Sequence, residues 1–558
     1  MPRTQVVIVG GGPSGLILAI ELGRRGVRCI VLEEDPASPT MPKANATTSR
    51  TMEHYRRLGF AAEIRALGLP ENYPQDIAYF TRYTRHELAR LKGRSRREAM
   101  QARESAGSRW PTPEPLHRVQ QMYIEAVLKR QAERWPAADV RFGWRAQRIE
   151  AHENGVVVET EQLETGKVER IEADYAVGCD GPRSLVREAL GVRYEGLSHE
   201  ERDFMGGRML AVYVKAPAFY EAVTAPRAWQ YWAVNREQRA LMNAIDGKEL
   251  WVLHVQLPRE GRTSAEYARE SLLRATARDF PFEILGIAEW TAGYTLVAER
   301  FGSTRVFIAG DAAHLFTPTG GQGYNTSVDD VSNLGWKLAA VCLGWGGPNL
   351  LPSYEAERKP IARRNTAFAR AMADSIGRID LSLELEDESA AGETARAALG
   401  ERLYRHASTE FEIPGIHLGV FYAGSPVIIG DGTPRPRDDW HHYTPSAIPG
   451  ARAPHVWLED GVSTFDRFGR DFTLLRFNGN IDTRAFEGAA IRRGIPLAVL
   501  DVGNDEARDV YERDLVLVRP DHHVAWRGNR VPEDVEDTLA RATGRGPTPI
   551  AQSNSSGL

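Results

Sequence analysis

The segment that begins at Gly310 combines glycines, a carboxylate and amide side chains in an arrangement that can hold an anionic ligand. Gly310 and Asp311 follow the apolar run 306–309, and Pro318 and the Gly-Gly-Gln-Gly sequence 320–323 precede an amphipathic run. The apolar run predicts a buried strand, and the amphipathic run predicts a helix. Glycine lets the backbone approach a ligand, and a helix start presents N–H groups that favour negative charge. The segment therefore predicts an anion site, although such a turn also occurs as a plain connection.

A second glycine-rich turn lies near the N-terminus. The sequence GGGPSG at 10–15 follows the β-branched run 5–9 and precedes the apolar run 16–25. This GxGxxG spacing, with an acidic residue about 20 positions further on, is typical of a dinucleotide-binding βαβ unit. Its glycines let the pyrophosphate approach, and its carboxylate accepts from ribose hydroxyls. The pattern predicts an adenine dinucleotide and leaves NAD and FAD open; the predicted contacts are Gly10, Gly12, Pro13, Ser14, Gly15, Glu33 and Glu34.

Length and composition limit the remaining possibilities. The 558 residues are enough for two to four domains, and the net charge of -5 argues against nucleic acid as a partner. Cys29, Cys179 and Cys342 are far apart in the sequence, so neither a metal site nor a structural disulfide is predicted. No long apolar run exists, and the N-terminus leads directly into a strand. We therefore expect a cytoplasmic protein without a signal peptide or membrane span.

Four segments together resemble one enzyme family. They are the N-terminal glycine-rich turn, MPKANATTSRTMEHYRRLG at 41–59, DYAVGCDGPRSLVREALG at 174–191, and the motifs GDAAH, PxGGQGxN and DxxNLxWKL between 310 and 338. In this order they resemble the single-component (class A) FAD-dependent aromatic hydroxylases, which include p-hydroxybenzoate hydroxylase and phenol hydroxylase. The C-terminal sequences at 451–469 and 517–528 are similar to the branch that contains phenol hydroxylase and 2,4-dichlorophenol 6-monooxygenase.

The resemblance implies FAD as the cofactor, NADPH or NADH as a transient reductant without its own domain, and O2 as co-substrate. Pro318 and Gly321 are implied to act on the reacting atoms through the backbone, and Asp311 to hold the ribityl chain. Gln120 is an alternative to Gln121, since the doublet blurs the register. The implied cofactor contacts, beyond the N-terminal turn, are Lys43, Arg118, Gln121, Asp180, Gly310, Asp311, Pro318, Gly321, Gln322, Gly323 and Asn325.

The substrate contacts are predicted on a separate sheet. Alternating apolar residues between 192 and 300 predict antiparallel strands, which in the family form the floor of the substrate site. Tyr231, His254 and Trp290 are aromatic residues with polar tips there, and each is either a substrate contact or a satisfied residue of the sheet. Asn45 matches an aspartate that deprotonates the substrate in phenol hydroxylase. Because an amide is not a base, a substrate proton must leave by another route.

The predicted fold class is α/β (α+β overall). We expect a Rossmann-like FAD-binding domain at 1–190 and 291–375 with an inserted antiparallel-sheet substrate domain at 191–290. A helical linker at 376–409 then leads to a thioredoxin-like domain at 410–545, which lacks redox cysteines. The residues from 546 to 558 are predicted to be a disordered tail.

The resemblance implies an NAD(P)H-consuming monooxygenase that hydroxylates a small aromatic, phenolic substrate through a flavin C4a-hydroperoxide. A Baeyer–Villiger or epoxidising monooxygenase in natural-product tailoring shares every motif and is the first alternative. A flavin dehydrogenase and a non-catalytic flavoprotein interaction module are further alternatives. A homodimer is compatible with the sequence.

Overall fold

The N-terminal strand Arg3–Val9 lies at the centre of a seven-stranded sheet, here called the cofactor sheet. The computed structural model describes residues 2–104, 108–198, 202, 204–258 and 263–546. Strand Arg3–Val9 pairs in parallel with both neighbours, which explains why its residues 6–9 are all buried. The other strands of this sheet are Cys29–Glu33, Ala138–Phe142, Trp144–His152, Gly155–Gln162, Lys167–Gly178 and Val306–Ile308.

Helices cover the cofactor sheet and carry the predicted motifs. Helix Pro13–Gly23 follows the first glycine-rich turn, and helix Gln322–Cys342 follows the second. Their buried apolar residues belong to one core together with the central strands of the sheet. The remaining helices of this part are Ser49–Leu58, Ala61–Arg65, Arg96–Ala102, Gln121–Glu133, Leu185–Ala189 and Pro352–Gly377.

A second seven-stranded sheet, the substrate sheet, includes two strands that we expected in the FAD-binding domain. Ile77–Phe80 pairs in parallel with Gln230–Val234, and Glu87–Leu91 forms the edge beyond it. The predicted bounds 191–290 were therefore too narrow, and the sheet is mixed rather than wholly antiparallel. This pairing joins residues about 150 positions apart, so no local pattern predicts it. The other strands are Gly207–Lys215, Arg239–Ala244, Leu250–Gln256 and Glu283–Ala292, with helices Phe219–Ala222 and Ala265–Thr276 beside them.

The predicted helical linker packs on the substrate sheet. Helix Ala390–Phe411 lies against the edge strand Glu87–Leu91, and a Cβ at Gly400 would collide with the carbonyl of Leu88. The short helix Pro414–Leu418 follows directly. We call residues 390–418 the closing segment, because Glu410, Phe411, Ile413 and His417 within it line the cavity described below.

The C-terminal domain has the predicted thioredoxin-like order. Its sheet runs Leu497–Asp501, Phe472–Arg476, Leu515–Val518, Val524–Gly528, with the first pair parallel and the others antiparallel. Its helices are Arg484–Arg493, Asp505–Tyr511 and Val535–Ala542. Apart from Gly546, the predicted tail at 546–558 lies outside the described residues.

Short elements complete the chain. Tyr194–Leu197, Thr295–Ala298 and His314–Leu315 form a three-stranded sheet, and Trp457–Glu459 pairs with Val462–Ser463 ahead of helix Thr464–Arg467. Turns of 3-10 helix occupy Gly310–Ala312, Thr319–Gly321 and Leu383–Glu386. Within the described ranges, no helix is long and apolar enough to cross a membrane, and no group of three or more potential ligand side chains is placed to hold a metal ion.

A fully buried set of polar residues joins the C-terminal domain to the FAD-binding domain. We call it the interface ion cluster: Asn333, Lys337, Glu357, Arg519 and Asp521. Glu357 accepts from Lys337 Nζ at 2.6 Å, from Arg519 Nη1 and Nη2 at 2.6 and 2.9 Å, and from Asn333 Nδ2 at 2.7 Å. Asp521 accepts a further bond from Arg519 at 2.6 Å. Every charge in the cluster therefore has an opposite charge beside it, as burial requires.

Candidate active site

A cavity of about 1140 Å³ lies between the cofactor sheet and the substrate sheet. The glycine-rich turn at 11–14 forms one end, and the face of the substrate sheet forms the other. Residues 41–48 and 311–327 contribute the walls between these ends, and the closing segment covers one side. The cavity thus brings the predicted cofactor residues and the predicted substrate sheet into one continuous space.

The glycines at the three fixed positions of the GxGxxG pattern have different surroundings. A Cβ at Gly10 would collide with the carbonyl of Cys179, and a Cβ at Gly15 would collide with the carbonyl of Gly10. A Cβ at Gly12 would meet nothing within 4 Å, because that position faces the cavity. No side chain caps the helix that starts at Pro13. Open space in front of uncapped N–H groups fits a dinucleotide pyrophosphate.

The two acidic residues at the end of the second strand, Glu33 and Glu34, differ in their position relative to the cavity. Glu33 lines the cavity, and its carboxylate accepts from the N–H of Gly11 at 2.6 Å and of Asp35 at 2.9 Å. Burial raises the pKa of Glu33, and the two N–H donors act in the opposite direction. Glu34 is exposed and lies outside the cavity lining. The geometry therefore favours Glu33 over Glu34 as the ribose-binding carboxylate.

The second glycine-rich turn is shaped by two left-handed residues. Gly320 and Gly321 have φ values of 71° and 63°, which L side chains rarely adopt. The N–H of Gly321 donates to the carbonyl of Pro318 at 3.1 Å, and the side chain of Gln322 donates back to Gly320 at 2.7 Å. The first N–H groups of helix Gln322–Cys342 have no side-chain cap and no acceptor within the helix. These groups, rather than the N–H of Gly321, can hold a negative charge in the cavity.

Asp311 lines the cavity beside this turn. Burial by the surrounding protein raises the pKa of Asp311, and His314 and Lys43 act in the opposite direction. Gly310 has a φ of 63° and packs against the hydroxyls of Ser14 and Ser327. The carboxylate is therefore held where a hydroxyl-bearing chain between the two glycine-rich turns could donate to it.

The side chain of Asn325 serves the fold instead of the predicted flavin contact. Its Oδ1 accepts from Thr48 N at 2.8 Å and from Thr51 Oγ1 at 2.7 Å. Its Nδ2 donates to the carbonyls of Ala46 at 2.9 Å and Gly321 at 2.6 Å. With both of its donors and two acceptor positions in use, the amide has no free donor for a ligand. It fastens the wall segment 41–48 to the glycine-rich turn.

Asp180 lies outside the cavity lining. Its carboxylate accepts from the N–H of Val186 at 3.1 Å, and Ser184 caps the same short helix. Burial raises the pKa of Asp180. The cavity is lined instead by its neighbours Cys179, Gly181, Pro182, Arg183 and Arg187.

Lys43, Asn45 and Gln121 line the cavity as predicted. The amide of Gln121 donates to Glu125 Oε1 at 2.6 Å. Gln121 lines the cavity and Gln120 does not, which favours Gln121 as the cofactor contact. No side-chain hydrogen bond of Asn45 is formed with the described part of the chain. Its amide is therefore free to contact a ligand, although it cannot accept a proton from one.

His314 and Tyr324 are occupied by protein partners. His314 Nε2 lies 2.6 Å from Asp330 Oδ2, and Arg358 Nε donates to the other oxygen of Asp330 at 2.8 Å. This buried chain supports the interpretation of His314 as a hydrogen-bonding residue of the core. The hydroxyl of Tyr324 bonds that of Tyr55, and burial raises the pKa of Tyr324 well above its usual range. Neither residue offers an acid–base group to the cavity.

The substrate sheet presents alternate residues to the cavity. In strand Gln230–Val234, Gln230 and Trp232 line the cavity, whereas Tyr231 points to the opposite face. There Tyr231 is fully buried, packs against Phe219 and Phe80, and accepts from the N–H of Ala228 at 2.9 Å. Tyr231 is thus a core residue, and its prediction as a substrate contact is not supported. The period of two along the strand decides this.

His254 and Trp290 do face the cavity, as predicted. Their rings meet edge to face with centroids 5.8 Å apart. Burial lowers the pKa of His254 to about 4, so the imidazole is neutral at pH 7. His254 Nδ1 and Trp290 Nε1 are buried without a hydrogen-bond partner in the described ranges. Both atoms can therefore bond a ligand.

The closing segment supplies residues that no motif predicted. Glu410 accepts from the N–H of Gly320 at 2.7 Å, and Phe411 and His417 line the cavity beside it. His417 Nδ1 accepts from Ser49 N at 3.4 Å, and burial lowers its pKa to about 3. The sequence around Glu410 reads as an ordinary polar helix, so only its contact with the second glycine-rich turn reveals its position.

Comparison with known proteins gives the family. Residues 3–369 match the FAD-binding-domain model, and residues 446–546 match the model of the aromatic-ring hydroxylase C-terminal domain. The FAD-dependent monooxygenase apdD of Emericella nidulans is 32% identical, across 97% of this chain and 90% of that protein. The 2,4-dichlorophenol 6-monooxygenase of Delftia acidovorans is 28% identical, across 97% and 98%.

Solved structures agree with these relatives. The rebeccamycin biosynthetic enzyme RebC, determined with reduced flavin, superposes with a TM-score of 0.87 at 34% identity, covering 98% of this chain and all of that one. An aklavinone-11 hydroxylase, determined with FAD and aklavinone, superposes with a TM-score of 0.80 at 28% identity and the same coverage. The open position at Gly12 and the uncapped helix starts fit the FAD that these matches imply. The chain therefore belongs to the single-component FAD-dependent monooxygenases and is an aromatic-ring hydroxylase.

Proposed function

We propose that this hydroxylase acts on a phenolic substrate of more than one ring, bound between the substrate sheet and the second glycine-rich turn. The observation that carries the proposal is the apolar surface at that end of the cavity, where Trp229, Trp232, Leu241, Trp290 and Phe411 line one continuous space. Large aromatic side chains favour flat apolar ligands. The aklavinone complex of a similar protein is consistent with this.

When bound, FAD supplies the redox chemistry, taking electrons from the reduced nicotinamide and activating O2. The protein contributes binding, orientation and electrostatics. We propose that Gly12 and the helix start at Pro13 hold the pyrophosphate, and that Asp311 holds the ribityl chain. The helix start at Gln322 stabilises negative charge on the reduced ring system. The substrate sheet and the closing segment exclude water from the substrate.

The site offers no evident base to remove the proton of the phenol. Asn45 carries an amide, and the hydroxyl of Tyr324 is bonded to Tyr55. His254 is neutral, and its Nδ1 has no partner. We therefore propose that the substrate hydroxyl donates a hydrogen bond to His254. Replacement of His254 with leucine is expected to raise KM for a phenol more than it lowers kcat.

The test is NAD(P)H oxidation by the purified yellow protein with phenols of one, two, three and four rings. We expect multi-ring phenols to stimulate oxidation more strongly than phenol or 2,4-dichlorophenol, with a product that gains one oxygen and keeps its rings. Equal or stronger stimulation by single-ring phenols would contradict the proposed substrate size. A ring-expanded lactone from a ketone substrate would support Baeyer–Villiger chemistry in its place.

We further propose that the enzyme works in the cytoplasm as a homodimer. In support of the location, Cys29, Cys179 and Cys342 are all free thiols, as in reducing compartments. Cell fractionation and light scattering of the holoenzyme test the two parts separately. Recovery in a membrane or secreted fraction would contradict the location, and a monomeric mass would contradict the dimer.

A further inference from the structure

We propose that the substrate carries a carboxylate, which Arg118 binds at the sheet end of the cavity. The inference rests on the proposed function, because it assigns one chemical group to the substrate of that same site. It differs from the sequence-based expectation, in which Arg118 touches FAD. Arg118 is surrounded by residues of the substrate sheet and of the closing segment.

Arg118 is a buried cation without a partner. Its side chain lines the cavity and is 9% exposed, and none of the ion pairs among the described residues includes it. Its Nε is fully buried without a hydrogen-bond partner, and no hydrogen bond is formed by its Nη atoms within the described part of the chain. A buried charge normally requires pairing, since the loss of water is otherwise uncompensated. An anionic ligand would supply the missing partner.

The guanidinium is held flat by aromatic residues of the substrate side. It lies over the ring of Trp229 at 3.7 Å and near that of Phe411 at 5.7 Å. Trp229 precedes strand Gln230–Val234 of the substrate sheet, and Phe411 ends the main helix of the closing segment. Stacking fixes the plane of the guanidinium and leaves its edge for hydrogen bonding. That edge is the part that a carboxylate binds with two parallel bonds.

Of two neighbouring amides, one adds a donor and the other presents an unpartnered acceptor oxygen. Gln230 Oε1 accepts from Trp232 Nε1 at 3.1 Å, which fixes the orientation of the amide and leaves its Nε2 for the cavity. Asn243 pairs with Gln230 across the strands, lines the same cavity, and is 2% exposed with its Oδ1 unpartnered. A ligand oxygen beside Trp229 would therefore meet a cation and at least one amide donor.

The nearest acidic residue does not neutralise Arg118. Glu410 lies beyond ion-pair distance, and its Oε1 is bonded to the N–H of Gly320. Its Oε2 lies 2.9 Å from His406 Nε2, on the side of the closing segment. Burial lowers the pKa of Arg118 to about 9, and Glu410 acts in the opposite direction. The guanidinium thus remains charged at pH 7 with its donors unused.

The experiment compares a charged and a neutral probe of one shape, 2-naphthoate and 2-naphthamide, by calorimetric titration of the oxidised holoenzyme. We expect the wild-type protein to bind the carboxylate about 10- to 100-fold more tightly than the amide, the range for hydrogen bonds to a charged group. Arg118→Gln should lose this preference while affinity for the amide changes little. Arg118→Lys should recover part of it, because it keeps the charge and loses the planar fork.

Arg145→Gln is the matched control, since Arg145 is exposed on the cofactor sheet and pairs with Glu161; it should keep the wild-type preference. The proposal is overturned if wild-type protein binds the two probes equally or binds neither. It is also overturned if Arg118→Gln loses FAD, because the guanidinium then serves the cofactor. Failure of the hydroxylase assignment looks different: no aromatic compound would gain oxygen, while the carboxylate preference would persist.

Discussion

The interface ion cluster and the cavity are both buried and polar, but the cluster pairs every charged group, and within it only Asn333 Oδ1 lacks a partner among the described residues. Glu357 accepts bonds from a lysine, an arginine, an asparagine and Ser425, all within 2.9 Å. In the cavity, Arg118 Nε, Asn243 Oδ1, His254 Nδ1 and Trp290 Nε1 are buried without partners. Buried polar groups are normally paired within a protein, as the charged groups of the cluster are. The unpaired groups of the cavity are therefore candidates for pairing with a ligand. The contrast distinguishes the charged groups of the cluster, which hold the fold, from the unpaired cavity groups that we propose to contact a ligand.

Removing the central carboxylate of the cluster should produce the largest effect. Glu357→Ala leaves Lys337 buried without its counter-charge, so we expect a loss of about 3–5 kcal/mol in the free energy of unfolding. Urea unfolding followed by circular dichroism measures it. Glu536→Ala, which removes an exposed carboxylate paired with Arg492 and Arg493, is the control and should leave the midpoint unchanged. An equally stable Glu357→Ala variant would contradict the structural role of the cluster.

Acid should weaken the interface ion cluster. Burial raises the pKa of Glu357, but Arg519 and Lys337 outweigh burial and lower it from 4.5 to about 2. A carboxyl group with a lowered folded-state pKa adds stability above pH 4.5, and this stability is lost as the pH falls toward 2. The shift corresponds to about 3 kcal/mol. The urea midpoint of the wild-type protein should fall across this pH window, and that of Glu357→Gln should fall less steeply. If the midpoints of the two proteins fell in parallel with pH, Glu357 would not be the group that titrates.

A side chain at the open glycine should remove FAD without unfolding the apoprotein. Gly12 has an ordinary φ of -71° and no neighbour within 4 Å of a Cβ, so valine fits the fold and fills the space of the pyrophosphate. Loss of bonds to a charged phosphate predicts about 10- to 100-fold weaker FAD binding. Flavin fluorescence titration of apoprotein measures it, with apoprotein melting as the test of folding. Gly15→Val is the contrast, because its Cβ collides with the backbone and should lower apoprotein stability.

The smallest expected effect comes from the aromatic residue that points away from the cavity. Tyr231→Phe removes one hydrogen bond to Ala228 N–H and should cost about 1 kcal/mol of stability. Steady-state kinetics should show an unchanged KM for the aromatic substrate, whereas His254→Leu on the other face should raise it. If Tyr231→Phe changed KM as much as His254→Leu does, the assignment of Tyr231 to the core and His254 to the cavity would be contradicted.

Local patterns predicted the parts of the site that local chemistry determines. The turn at 10–15 requires glycine at three fixed positions for three different reasons, so its spacing alone predicted the dinucleotide site. The thioredoxin-like order of the C-terminal domain followed from strand and helix periodicity, and the comparisons confirmed the FAD-dependent hydroxylase family.

The remainder depends on contacts between distant residues. Strand Ile77–Phe80 joins the substrate sheet through a partner about 150 residues away, and Glu410 reaches Gly320 from the closing segment. Asn325 stands in a ligand-binding motif, yet its amide is used by Ala46 and Thr48. For Tyr231, alternation predicts a face opposite to that of Gln230 and Trp232, but only the structure shows which of the two faces lines the cavity.

The measurement that tests the account most directly is the fate of isotopically labelled O2 during turnover with NAD(P)H and a phenol that stimulates oxidation. The account predicts one labelled oxygen atom in the organic product, attached to an intact aromatic ring, and the second in water. The same product from the Arg145→Gln control and none from Gly12→Val would tie the reaction to the cavity. Unlabelled product, or label in an expanded lactone ring, would contradict aromatic hydroxylation by this chain.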